Sequence, residues 1–501
     1  MMKKGLSILI GCIMLLNIFF PVGLKAQSQN NLQEEIIYDI LVDRFNNGNQ
    51  KLSEQVDLDD PLTYHGGDIV GVTKKLDEIQ AHGFTTISLS PIMENAPKGY
   101  HGYWIEDLYN IEEQFGTKED LNELIEEAHN RDMKVILELV TNYVANSHPF
   151  LSDATKQEWF RDNEVEPIAS TEWLKNTAAF DQTNEDVQEY LLDVASYWMD
   201  EFAIDGFKLH AADQMADDFI KILTKEIKSN NPSFYIIAST LQGDNHLENL
   251  INNEYIDAVE NSELYRAMNE SLIEPDQPIS ALYDTWKETG NKKSLLFVDN
   301  KNTARFSNNF AENERNAVTT WTLALAYLYF MPGTPVIYQG SEVPMYGPGF
   351  PENQYIVDFT SADPDLEDVF DKMAAIRKEF PALSYGDVEQ VAVENGFSLF
   401  KRSYEDKDIY IAINNDSESH AVKISGIDSS QQLRGLIHDD TIRENKEGEF
   451  LIGMERESAE VFIVQPNVGF NWGFISFVVG VFAVFIFAII WLSRKQNQRG
   501  E

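Results

Sequence analysis

Short apolar segments recur along residues 34–380, and longer stretches of helical periodicity separate them. The segments are Ile36–Val42, Thr85–Leu89, Lys134–Val140, Ile204–Leu209, Phe234–Ala238, Ser294–Val298 and Thr334–Tyr338. Continuous apolar runs of this length read as strands buried on both faces, which is the condition of a parallel sheet. Between them, Glu119–Arg131 places Leu121, Leu124, Ile125 and Ala128 on one helical face. Thr117 with Asp120 has the spacing of a capping box at its start. Strand–helix units repeated in this way predict an α/β fold, a (β/α)8 barrel of the TIM type in preference to an open sheet.

Two changes of rhythm divide the chain further. Residues 141–178 lack the alternation and read as a short insertion between the third strand and its helix. After Pro381 the period becomes two, in Val388–Val393, Phe397–Arg402, Ile409–Asn414, Phe450–Ile452 and Glu460–Val464. That pattern predicts a C-terminal antiparallel β-sandwich over 384–466, after a barrel over 34–380.

The termini point to a compartment. Lys3 and Lys4 precede an apolar run from Leu6 to Phe20, and Ala26 ends a stretch that reads as a signal peptide, 1–26. Cys12, the only cysteine, lies inside it; the sequence Leu9-Ile10-Gly11-Cys12 leaves lipidation open as an alternative. Phe474–Leu492 is uncharged and almost wholly apolar, and Arg494, Lys495 and Arg499 follow it. At 1.5 Å per residue this run reaches roughly 28 Å, which predicts a transmembrane helix at 474–492 with a cytoplasmic tail at 493–501. The expected location is the cell membrane, single-pass, with an extracellular ectodomain. A net charge of -43, from 82 acidic against 39 basic residues, excludes a basic nucleic-acid surface and reads as a solvated exterior.

Several motifs carry chemistry. Tyr64-His65-Gly66-Gly67-Asp68, Gly99-Tyr100-His101-Gly102-Tyr103-Trp104, Phe115-Gly116-Thr117 and Gly333-Thr334-Pro335-Val336-Ile337-Tyr338 occur in order at expected strand ends. Together they resemble glycoside hydrolase family 13, the α-amylases, over roughly residues 34–466. The resemblance implies that 141–178 corresponds to the family's domain B. It also implies retaining hydrolysis by a nucleophilic carboxylate, a carboxylic acid and a third carboxylate, because an oxocarbenium-like transition state needs an anion on one side and a proton donor on the other.

At the aligned positions this sequence departs from the family. The nucleophile segment is Gly206-Phe207-Lys208-Leu209-His210, so His210 stands for the nucleophilic Asp and Lys208 for an Arg. The acid segment ends in Ser239, and the third reads Asp299-Asn300-Lys301-Asn302, with Asn302 for Asp and Lys301 for His. After the third strand Asn142 remains, followed by Tyr143 in place of His and preceded by Glu138 in place of Asp. The family's Asp-Pro-x-x-Arg pattern aligns with Phe350-Pro351-Glu352-Asn353-Gln354. The family calcium loses its carboxylate near Thr177-Ala178-Ala179-Phe180, leaving only Asn142, so no cofactor is expected.

The resemblance with these departures predicts a protein related to carbohydrate metabolism, catalytically inactive, membrane-anchored, and used for carbohydrate or anionic-ligand binding or as a scaffold. The alternative is an active α-glucan hydrolase or transglycosylase with atypical residues. Ligand contacts are expected from His101, Tyr103, Trp104, Lys208, His210 and Lys301. The two lysines favour an anionic sugar or cell-wall polymer over a neutral glucan, and no protein partner is identified.

Overall fold

The computed structural model describes residues 31–161, 172–241, 247–289, 292–467 and 472–497. The expected signal peptide, with Cys12, lies outside the described residues. Eight parallel strands form a closed barrel: β1 (Ile37–Ile40), β2 (Thr86–Leu89), β3 (Lys134–Leu139), β4 (Gly206–Leu209), β5 (Tyr235–Ala238), β6 (Ala258–Glu260), β7 (Ser294–Leu296) and β8 (Thr334–Tyr338). Ile37 lies opposite both Thr86 of β2 and Val336 of β8, which closes the cylinder. Seven of these strands coincide with apolar segments of the sequence. The missing one, β6, lies between Asp257 and its own Glu260, and these charges interrupt the apolar run that marks the other strands.

Strand alternation divides the interior into layers. Ile37, Ile136, Tyr235, Ile237, Ala258, Leu295 and Phe297 form one apolar cluster separate from the main core. Side chains two positions apart share a face, so Asp39, Glu138, Ser239, Glu260 and Asp299 continue the same inner face toward the C-terminal ends of the strands. The barrel thus has an apolar floor and a polar layer above it. Helices pack outside; Lys118–His129 starts at the predicted capping box, in which Thr117 and Asp120 exchange side-chain–backbone hydrogen bonds. Its buried residues are the expected Leu121, Leu124, Ile125 and Ala128.

The insertion contains an antiparallel pair, Tyr143–Ala145 with Thr177–Ala179. The C-terminal domain contains β9 (Asp387–Glu394), β10 (Phe397–Tyr404), β11 (Lys407–Asn414), β12 (His420–Ile424), β13 (Gln431–Gly435), β14 (Thr441–Ile442), β15 (Phe450–Met454) and β16 (Ser458–Pro466). Six of them form one sheet in the order β9-β10-β11-β16-β13-β14, and β12 pairs with β15. The helix Ala317–Phe330 joins the two domains. It is apolar nearly all round, as a helix enclosed between two packed layers must be. Arg402 of β10 donates to the carbonyl of Phe330, the last residue of that helix, at 2.5 Å.

One expectation is overturned. A helix runs from Trp472 to Asn497, but among the described residues no helix is long and apolar enough to cross a membrane. The transmembrane helix at 474–492 is corrected accordingly. With it go the membrane as partner, the single-pass topology, the extracellular ectodomain and the cytoplasmic tail.

Candidate active site

The polar layer at the C-terminal mouth of the barrel is a network of buried charges. Glu138, at the end of β3, is fully buried. Its Oε1 accepts from His210 Nδ1 at 2.8 Å and from the Tyr103 hydroxyl at 2.9 Å, and its Oε2 pairs with Lys301 Nζ at 2.5 Å. Lys208 Nζ lies 3.2 Å from both oxygens of Asp39 and 3.3 Å from Glu260 Oε1. Burial alone would push the Glu138 carboxyl up, but Lys301, the His210 hydrogen bond and Lys208 together hold it far below the usual carboxylate range. Burial likewise disfavours the ammonium of Lys208, and Asp39 with Glu260 more than reverses this. For Lys301 the opposing partner is chiefly Glu138.

This pairing corrects the expectation of an anion pocket. Lys208 and Lys301 are 4% and 6% exposed, and each already holds a carboxylate. Three carboxylates face two ammonium groups, so the layer presents no surplus positive charge. The counter-charges come from β1, β3 and β6, three strand ends that no local segment of sequence brings together. Asp39 and Glu260 were missed by sequence reasoning. The signal available was their place two residues beyond the inward-facing Ile37 and Ala258.

His210 is held in an unusual backbone. Its N–H donates to the Leu139 carbonyl at 2.9 Å, and the next residue, Ala211, is in the left-handed region at φ 49 and ψ 47. Non-glycine residues rarely adopt that region, and here the turn is clamped. Asn142 Nδ2 donates to the carbonyls of His210 (3.2 Å) and Ala211 (2.8 Å). The Asn142 Oδ1 accepts from Gln182 Nε2 at 2.8 Å. Asn142, expected only as a remnant metal ligand, therefore works as an amide strut beneath His210.

Of the other aligned positions, Ser239 is buried just beyond β5. Its N–H donates to the Leu209 carbonyl at 3.0 Å and its carbonyl accepts from Ala212 at 2.7 Å. Asn302 lies in the turn after β7, its N–H bonded to Asn300 Oδ1 at 2.8 Å. The structure brings Glu138, His210, Lys301 and Tyr103 into one set of contacts, and Lys208 into another with Asp39 and Glu260.

An aromatic wall stands over this layer. Gly102 turns the chain at φ 83, and a Cβ there would come within 2.1 Å of the Pro91 carbonyl oxygen, so only glycine fits. The turn presents His101, Tyr103 and Trp104. Tyr103 stacks on Trp173 at 4.2 Å between centroids and lies 4.5 Å from His210. Trp104 Nε1 donates to the Trp173 carbonyl at 2.7 Å. His101 Nδ1 accepts from the Tyr103 N–H at 3.0 Å, and burial lowers the His101 pKa to about 3, so its imidazole is neutral. A cavity of about 570 Å³ opens beside this wall, lined by Leu62, Tyr100, His101, Trp104, Trp173 and Phe350 among others. Aromatic faces with few polar groups suit the apolar faces of a sugar ring.

Comparison with known proteins agrees with this geometry. Residues 39–173 and 155–423 match the family model described as α-amylase, catalytic domain, and residues 386–462 match the α-amylase C-terminal domain. A solved α-amylase from Anoxybacillus is 37% identical, with a TM-score of 0.82, covering 88% of this chain and 100% of that one. An intracellular maltogenic amylase of Bacillus subtilis is 27% identical over 85% of this chain and 77% of its own length. A β/α-amylase of Paenibacillus polymyxa is 25% identical over 86% of this chain, which spans 38% of that longer protein. Relatives bearing the names of amylases overturn the expectation of a catalytically inactive scaffold and fit the alternative of an active α-glucan hydrolase better.

Proposed function

This chain belongs to the α-amylase family, and on that premise we propose that it acts on α-glucans, as an amylase-type hydrolase or transglycosylase with atypical working residues. His210, Ser239 and Asn302 hold the positions where the family carries carboxylates. The observation that carries the reading is the His210–Glu138 pair beside the aromatic cavity. A carboxylate kept ionised engages the Nδ1 side of the ring, which leaves Nε2 as the nitrogen that can face a substrate. That atom sits at the aligned position of the family nucleophile, able to attack a sugar carbon or to take a proton from water.

The neighbouring carboxylates support charge development at the sugar. Glu260 adjoins the aligned acid position, its Oε2 accepting from the N–H of Thr240 at 3.0 Å. Ser239 itself is a poor proton donor, and loss of general acid catalysis costs about 10²–10⁴-fold, so turnover is slow by the standards of the family. His101, Tyr103 and Trp104 receive the sugar, while Lys208 and Lys301 keep the carboxylates ionised and in place.

The test is release of reducing ends from starch, maltotetraose and a cyclomaltodextrin by the purified protein. Slow release that disappears in His210→Ala supports the reading. No release above the rate of a heat-denatured control, from any of the three, sinks it.

A further inference from the structure

Three ring nitrogens in the aromatic wall have no hydrogen-bond partner among the described residues: His101 Nε2, Trp173 Nε1 and His210 Nε2. All three side chains are buried, where an unpartnered polar atom is rare and calls for an explanation. They also belong together. Tyr103 contacts all three rings, and the Trp173 and His210 centroids are 5.1 Å apart.

Their polarity is fixed by what each residue does with its other atoms. His101 Nδ1 accepts from a backbone N–H, so Nε2 carries the proton and donates. The indole N–H of Trp173 can only donate. His210 Nδ1 donates to Glu138, so Nε2 is the ring nitrogen left to meet a ligand. Two fixed donors and a third ring nitrogen in an apolar wall suit sugar hydroxyl groups, each of which both donates and accepts.

The indole of Trp173 lines the open cavity on one side and packs against His210 on the other. Tyr100, His101, Trp104 and Trp173 line the cavity, whereas His210 does not; His210 is 1% exposed. Trp173 is held face-on by Tyr103 and, through its carbonyl, by Trp104. The indole belongs to the insertion and not to a barrel strand, and no hydrogen bond from its own Nε1 ties it down.

We propose that Trp173 is the specificity-determining residue of the site: its indole closes the passage from the cavity to His210, and a ligand reaches the imidazole only by displacing it from Tyr103 and satisfying the exposed ring nitrogens. The identity of that ligand as an α-glucan rests on the proposed function; the closure itself does not.

Acylation of histidines by diethyl pyrocarbonate, read residue by residue by mass spectrometry, tests the closure without any turnover. Neutral imidazole nitrogens react when reached, and His438 provides an exposed reference. In the native protein His210 is protected. Trp173→Ala should raise its labelling at least about tenfold against His438, as expected for removal of a local barrier to access, while Trp173→Phe keeps most of the protection. Equal labelling of His210 in native protein and Trp173→Ala overturns the proposal, as does a parallel rise at the buried His148, which would mark general loosening. Maltotetraose should then shield His210 in Trp173→Ala. Absence of shielding with the labelling difference intact counts against the glucan reading alone.

Discussion

Glu138 Oε1 receives the Nδ1 proton of His210 at 2.8 Å, and through that bond a carboxylate from β3 sets the tautomer of an imidazole that follows β4. The other oxygen of Glu138 holds Lys301, so one buried carboxylate supports two elements of the site. Glu138→Gln keeps the shape and deletes the charge, leaving Lys301 buried without its partner. A loss of about 3–5 kcal/mol is expected from breaking a buried pair, read as a lower urea midpoint. Glu138→Gln combined with Lys301→Met should recover much of it; an unchanged midpoint in the single variant would contradict the network.

The pH profile of stability carries a second expectation. Burial lowers the His101 pKa from its ordinary value of 6.5 to about 3. Between these values the unfolded chain binds a proton that the folded protein refuses, so stability rises with pH across this window. The contribution is present above pH 6.5 and is lost as pH falls toward 3, on the order of 5 kcal/mol in total. Glu138 adds a loss of the same sign: its depressed pKa stabilises above the ordinary carboxylate value and ceases to do so in acid. Chemical denaturation from pH 7 to 4 should show falling stability, with a shallower slope in His101→Asn.

Ala211 gives a test of the backbone beneath His210. At φ 49 it pays for a conformation that glycine adopts freely. Ala211→Gly should stay within about 1 kcal/mol of the native protein, because relief of the left-handed penalty and added chain entropy oppose one another. Ala211→Val should lose about 1–3 kcal/mol. Asn142→Ala, which strips the carbonyls of His210 and Ala211 of their donor, should cost about 1–3 kcal/mol. Thermal midpoints decide each case.

Ligand charge is the fourth expectation. Since Lys208 and Lys301 are matched by Asp39, Glu260 and Glu138, a phosphate group on the sugar should bring no gain in affinity. Calorimetric titration of maltotetraose against a phosphorylated glucose is expected to favour the neutral glucan. Tighter binding of the phosphosugar would mean that the lysines release their carboxylates.

Local chemistry made the larger part of the fold readable. Buried parallel strands have to be apolar on both faces, so Lys134–Leu139 and Thr334–Tyr338 announce themselves, and the capping pair Thr117 and Asp120 marks a helix start within four residues. Antiparallel strands with one wet face alternate, as Phe450–Met454 does, whereas Ala258–Glu260 sits between Asp257 and its own Glu260 and shows no apolar run. The family motifs likewise located His210, Ser239 and Asn302 by neighbours close in sequence.

The tertiary structure alone decided what those residues meet. Lys208 and Lys301 read as free cations because nothing adjacent in sequence opposes them. Asp39 stands 169 positions from Lys208 and Glu138 163 positions from Lys301, and only closure of the barrel sets them in contact. Burial then settles the charge states, since an ion removed from water persists only beside its partner. In the same way Trp173, far from His210 along the chain, lies against it because the insertion folds back over the barrel mouth. Sequence fixes which groups exist and which face of a strand they occupy; which opposite charges share a dry space is a property of the closed chain.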